Sequence, residues 1–101
     1  MRSPPNSQPA VAETFRVEWS RDAAKEILRI DKRDAERIIA ATESLASQPR
    51  PQQSTELRGF DGLRRLRVGD YRVIYHVREE RLIVLVISVG HRRDVYSKIR
   101  R

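Results

Sequence analysis

A chain of 101 residues without cysteine suffices for one domain with a modest core, and it excludes a disulfide scaffold, a CxxC redox site and a cysteine-ligated zinc site. Its two histidines, His76 and His91, do not make a metal site by themselves, so neither metal nor cofactor is expected. The net charge of +7 is lopsided: residues 1–50 carry 9 basic and 8 acidic groups, residues 51–101 carry 12 and 6, which points to a polyanionic partner, either nucleic acid or an acidic protein.

Residues 1–13 hold three of the five prolines and almost no bulky apolar side chain. Such a segment cannot bury enough surface to offset its ordering entropy, and a disordered tail is expected, with one domain over 14–101. No secretory signal is expected, because the N-terminus lacks an apolar core. The longest apolar run, Leu82 to Val89, is eight residues, against about 20 for a membrane span. A reducing, cytoplasmic setting is expected.

Thr14 to Trp19 alternates Phe15, Val17 and Trp19 with polar residues, as a half-buried strand does. Ser20 is placed to cap a short helix ending near Ile30, with Ala23, Ala24, Ile27 and Leu28 as its apolar stripe. Asp31 caps a second helix with the stripe Ala35, Ile38, Ile39, Thr42, Leu45 and Ala46, stopped by Pro49 and Pro51. So close a pair folds as an antiparallel hairpin. A polar loop follows, then a strand over Leu63–Val68, a Gly69-Asp70 turn and a return strand over Tyr71–Arg78. Glu79-Glu80 turn the chain again. Leu82 to Val89 is apolar on both faces, as a central, doubly covered strand is, and Gly90 breaks it. A short helix is expected over 94–101. The result is an α+β domain of order β-α-α-β-β-β, with a helical hairpin packed on a twisted antiparallel sheet.

The turn fixes a register. With Gly69 and Asp70 as loop residues, Val68 faces Tyr71, Arg67 faces Arg72, Leu66 faces Val73 and Arg65 faces Ile74. Side chains alternate across a strand, so Leu66, Tyr71, Val73 and Tyr75 share the core face, and Arg65, Arg67, Arg72, Ile74 and His76 share the other. Two arginines directly opposite are destabilising in a bare sheet. Either acidic neighbours or an extended rotamer relieve them, or the register differs by a residue, or the face awaits an anion suited to the planar guanidinium fork, such as phosphate. His91, Arg92 and Arg93, just past the last strand, and Tyr96 add to the basic character.

The stretches LRGFDGLRRLRVGDYRVIYHV and LIVLVISVGHRRDVY resemble the RelE/ParE toxins. Leu57-Arg58-Gly59, the run Arg65 to Arg72, and Val89-Gly90-His91-Arg92 ending in Tyr96 resemble the RelE-like branch, and the similarity covers residues 14–97. The resemblance implies the same β-α-α-β-β-β fold and a toxin that an antitoxin protein holds inactive. It implies entry into the ribosomal A site and metal-independent mRNA cleavage, in which the ribose 2′-oxygen attacks the adjacent phosphate to leave a 2′,3′-cyclic phosphate and a 5′-hydroxyl.

By position, Arg72 matches a phosphate-binding arginine, Arg92 the arginine after the last long strand and Tyr96 a C-terminal tyrosine. Arg65 stands where RelE proteins carry a catalytic lysine, and Leu63 where they carry a second. Arginine keeps the charge but does not usefully transfer a proton, which leaves His91 as a spare titratable candidate. Arg58, Arg65, Arg67 and Arg93 are expected RNA contacts. The alternative reading is a ParE-like toxin, which shares the fold, cleaves no RNA and acts on DNA gyrase.

Overall fold

The computed structural model describes residues 14–95. The expected N-terminal tail, Tyr96 and nearly all of the expected last helix lie outside them.

Strand β1 (Arg16–Trp19) leads through Ser20 into helix α1 (Arg21–Leu28). Ser20 does two jobs: its Oγ accepts the Ala23 N–H at 3.1 Å, capping the helix, and donates to Ile87 O at 2.9 Å, tying that cap to the sheet. Asp31 caps α2 (Lys32–Glu43) by accepting from Arg33 N. The α-helix ends before Leu45, and a 3-10 turn, Ser44–Ala46, carries that residue into the core. Both apolar stripes are narrower than their sequences suggest. Leu28 is 83% exposed and Ile39 39%, because the sheet is met by Ala23 and Ile27 on α1 and by Ile38 and Thr42 on α2.

Strand β3 (Leu63–Val68), the Gly69-Asp70 turn and β4 (Tyr71–Arg78) form as expected, and every pair of the expected register is present. Gly69 takes φ +61°, a backbone conformation that glycine tolerates without penalty. The next turn is longer than Glu79-Glu80 and includes Leu82 at φ +53°. Strand β5 (Ile83–His91) runs through Gly90, since pairing of Arg72 with Gly90 and Tyr71 with His91 sustains the ladder where glycine alone would end it.

Two features depart from the expected sheet. A further strand, β2 (Ser54–Glu56), forms inside the stretch read as a polar loop, pairing antiparallel with β3. The sheet is also mixed: in the order β1-β5-β4-β3-β2, β1 runs parallel to β5 and the other pairs are antiparallel. A parallel pair requires a crossover connection, and the helical hairpin starts the one used here. β5 is thus internal to the sheet.

The helices cover one face. Phe15, Ala23, Ile38, Leu45, Leu66, Val73, Tyr75, Val84, Val86 and Val89 form the core there. The buried Tyr75 hydroxyl donates to Pro49 O at 2.6 Å and fastens the segment after α2. Among the described residues no helix is long and apolar enough to cross a membrane.

Candidate functional site

The site lies on the face away from the helices, and cross-strand register assembles it. One row runs Gln53, Arg67, Arg72, Gly90; the next runs Thr55, Arg65, Ile74, Ser88. Gln53 joins its row because its carbonyl accepts Arg67 N–H at 3.1 Å, extending the β2–β3 ladder by one residue. Together Gln52, Gln53, Thr55, Arg65, Arg67 and Arg72 line a polar depression of about 250 Å³. No carboxylate lines it. Gly90, opposite Arg72, brings no side chain into the row.

The like-charged pair Arg67–Arg72 is relieved without an acid. Arg72 Nη1 donates to Gly69 O at 3.1 Å and to Tyr71 O at 2.9 Å, so the turn's carbonyls hold the guanidinium in place. Asp61 and Asp70 both sit in turns, and among the described residues no ion pair engages Arg67, Arg72 or Arg92. The guanidinium is held from one nitrogen, a posture that fixes its remaining donors in advance.

Arg92 reaches the same turn by its backbone, which donates to Asp70 O at 2.9 Å. The turn therefore holds the Arg72 guanidinium with one carbonyl and anchors the Arg92 backbone with the next. Arg93 is exposed in the following turn. Arg58 stands apart, lining a separate open depression with Leu57, Phe60 and Asp61. Tyr96 lies outside the described residues.

His91 does not join the arginine face. It pairs with Tyr71, on the helix side of the sheet, and their rings meet edge to face with centroids 5.9 Å apart. Its Nδ1 also accepts the Arg93 N–H at 3.4 Å. Sequence alternation already implied this placement, since Gly90 intervenes between His91 and Val89 of the core. His76 does lie on the arginine face, opposite Leu63 on β3 and Leu85 on β5.

Gln52, Gln53 and Thr55 are the lining residues that sequence reasoning missed. Only the β-branched Thr55 hinted at a strand, and three polar residues show no apolar alternation to read. Among the described residues no group of three or more His, Asp or Glu is placed to hold a metal ion.

A two-layer α+β domain with an arginine-lined, acid-free depression on the face opposite its helices defines a class of small basic proteins suited to an anionic ligand. Comparison with known proteins specifies the family. The family model for the "ParE toxin of type II toxin-antitoxin system, parDE" matches residues 17–96. An Escherichia coli RelE-like toxin protein is 31% identical over 87 residues, covering 82% of this chain and 90% of its own length. The RelE–RelB complex from Pyrococcus horikoshii OT3 superposes with a TM-score of 0.71 at 27% identity, covering 80% of this chain and 98% of that one. The isolated E. coli RelE toxin gives 0.68 at 27% identity, covering 83% and 93%. The chain belongs to the RelE/ParE superfamily and is a toxin of a type II toxin–antitoxin system.

Proposed function

We propose that this toxin is a ribosome-dependent mRNA endonuclease that halts translation. The observation that carries the reading is the depression lined by Arg65, Arg67 and Arg72 with no carboxylate among its walls. A phosphodiester gains charge as it becomes a phosphorane, and prepositioned donors stabilise that state most. In this reading Arg72, held by the turn carbonyls, and Arg92, anchored beside it, act on the phosphorane. Arg65 and Arg67 bind flanking phosphates, Arg58 and Arg93 add outlying RNA contacts, and the family resemblance gives Tyr96 a catalytic role. The 2′-oxygen bonds to phosphorus, the bond to the 5′-oxygen breaks, and the products are a 2′,3′-cyclic phosphate and a 5′-hydroxyl. No metal takes part.

The test is a primer-extension map of cellular mRNA after induction. Cuts within translated reading frames are expected. A second reading, inhibition of DNA gyrase, is favoured by one observation, the match to a ParE family model. Intact mRNA with DNA breaks would establish it in place of the first.

An antitoxin is proposed to mask this face in the resting cell. The RelE of P. horikoshii is seen in complex with RelB, and a marginally stable basic domain suits an acidic, mostly helical chain that folds as it wraps. Co-purification with the product of the adjacent gene is expected. Failure of any neighbouring small protein to bind or neutralise the toxin would remove the masking reading.

A further inference from the structure

We infer that Arg37 and Arg67 hold a further phosphate of the RNA strand in the groove between α2 and β3, an inference that rests on the proposed reading of the arginine face as RNA-binding. The groove has a volume of about 460 Å³, and its lining includes Arg37, Gln48, Gln53, Leu66, Arg67 and Val68. Two of these, Gln53 and Arg67, also line the arginine depression. The two hollows therefore share a wall along the β2–β3 edge of the sheet. A strand that leaves the depression over Arg67 enters the groove.

Arg37 reaches this place from the middle of α2. Its guanidinium lies against the Gly69 turn: a Cβ placed on Gly69 would come within 3.4 Å of Nη2 and 3.7 Å of Nη1. Arg72 holds the same glycine, its Nη1 donating to Gly69 O at 3.1 Å. Arg67 stands opposite Arg72, two residues before that glycine. Arginines from α2, β3 and β4 thus gather round one turn. Arg37 pairs with Asp34, one helical turn earlier, at 3.7 Å between solvent-accessible side chains, a kind of ion pair that contributes little. Neither Asp34 nor the turn's own Asp70 lines the groove or the depression.

The lining suits the backbone of a polyanion better than an amphipathic helix. Its apolar part is thin: Leu66 is 3% exposed, and Ala41 and Val68 are partly covered by the core. That leaves little apolar surface for a docking helix to bury. No carboxylate lines the groove, so its charge is unopposed there. A guanidinium offers phosphate a planar fork of donors, and the amides of Gln48 and Gln53 add donors and acceptors for sugar hydroxyls. No aromatic ring lines the groove for a base to stack on. The contact is therefore to the backbone and carries no base preference.

The experiment measures binding of a labelled single-stranded RNA octanucleotide to the whole chain by fluorescence anisotropy, across a salt series and without ribosomes. The proteins are the wild type, Arg37→Ala, Arg37→Lys and Arg16→Ala, with thermal melts of each. Losing one phosphate contact should flatten the plot of log K against log salt by about 0.7 for Arg37→Ala. The ratio of wild-type to variant affinity then shrinks about fivefold over a tenfold rise in salt. Arg37→Lys keeps the charge and should keep the wild-type slope. Arg16, on the strand at the opposite edge of the sheet, is the control, and its alanine variant should keep the slope as well. A wild-type slope for a folded Arg37→Ala would overturn the assignment, as would equal flattening by Arg16→Ala, which would mark an effect of net charge alone. Loss of antitoxin capture by Arg37→Ala with RNA binding unchanged would overturn it too, and would give the groove to the protein partner. Mapping of cellular mRNA cuts tests the nuclease reading separately, so each of these results leaves that reading standing. If the wild type binds the RNA without salt dependence, or not at all, the RNA-binding reading of the face fails and the groove's role fails with it.

Discussion

Arg67 and Arg72 face each other across a hairpin, where like charges ordinarily repel, and the protein meets this with backbone dipoles. The Arg72 guanidinium is drawn to Gly69 O and Tyr71 O, while Arg67 borders both the polar depression and a groove under α2. The two arginines should therefore do different work. Arg72→Ala is expected to lower single-turnover cleavage by about 10²-fold or more, the scale of one lost electrostatic donor. Arg67→Ala should weaken binding with little change in the saturated rate. Both should melt close to wild type, since neither side chain supports the core. A wild-type rate for Arg72→Ala, or a melting temperature far below wild type, would make that residue structural.

At the scale of elements, the edge of β5 is finished by a side chain. Strand β1 stops at Trp19, opposite Val86, which leaves the last part of β5 without a strand neighbour on that side. α1 takes over: Glu26 Oε1 accepts Val89 N–H at 2.8 Å and the hydroxyl of the buried Ser88 at 3.1 Å. The carboxylate thus does for the strand edge what a further strand would do, and it docks α1 in the process. Glu26→Ala would leave both donors unsatisfied, a loss of about 1–3 kcal/mol. At roughly 4–8 °C per kcal/mol for a domain of this size, the melting temperature falls by about 5–20 °C. Glu26→Gln, which keeps an acceptor, should lose less. Amide exchange at Val89 should quicken in the alanine variant, and unchanged protection there would show that the bond contributes nothing. The next turn carries a smaller electrostatic feature. The Glu80 carboxyl is held below its usual range, first by a backbone hydrogen bond and then by Arg78. Its contribution is present above the ordinary carboxylate range and is lost as pH falls through the lowered value.

Across the whole molecule, the helices take one side of the sheet, and Arg65, Arg67 and Arg72 line the depression on the other. Binding through that face releases counterions, so affinity should fall with salt. For a single-stranded RNA oligonucleotide contacting three or four arginines, log K against log salt should have a slope of about −2 to −3. Replacing Arg67 with alanine should flatten it by about 0.7. An unchanged slope would mean that Arg67 touches no phosphate.

The amino-acid sequence alone determined the helices, their Ser20 and Asp31 caps, and the β3–β4 hairpin with its register. These rest on local chemistry: capping oxygens, alternation of period two, and a glycine at the turn. From that register the grouping of Arg65, Arg67, Arg72 and His76 on one face was legible. Tertiary structure decided what depends on residues distant in the chain. β2 exists because β3 offers it a ladder, and with it came Gln52, Gln53 and Thr55 as walls of the depression. The parallel β1–β5 pair depends on where the helical hairpin returns the chain. His91 was assigned by its place beside Arg92 in sequence, but pairing with Tyr71 sets it on the helix side; His76 gains its fixed position from Gly62, fourteen residues away on the other side of a hairpin. Periodicity records which side of its own strand a residue takes, and only the packed sheet records which strand lies beside it.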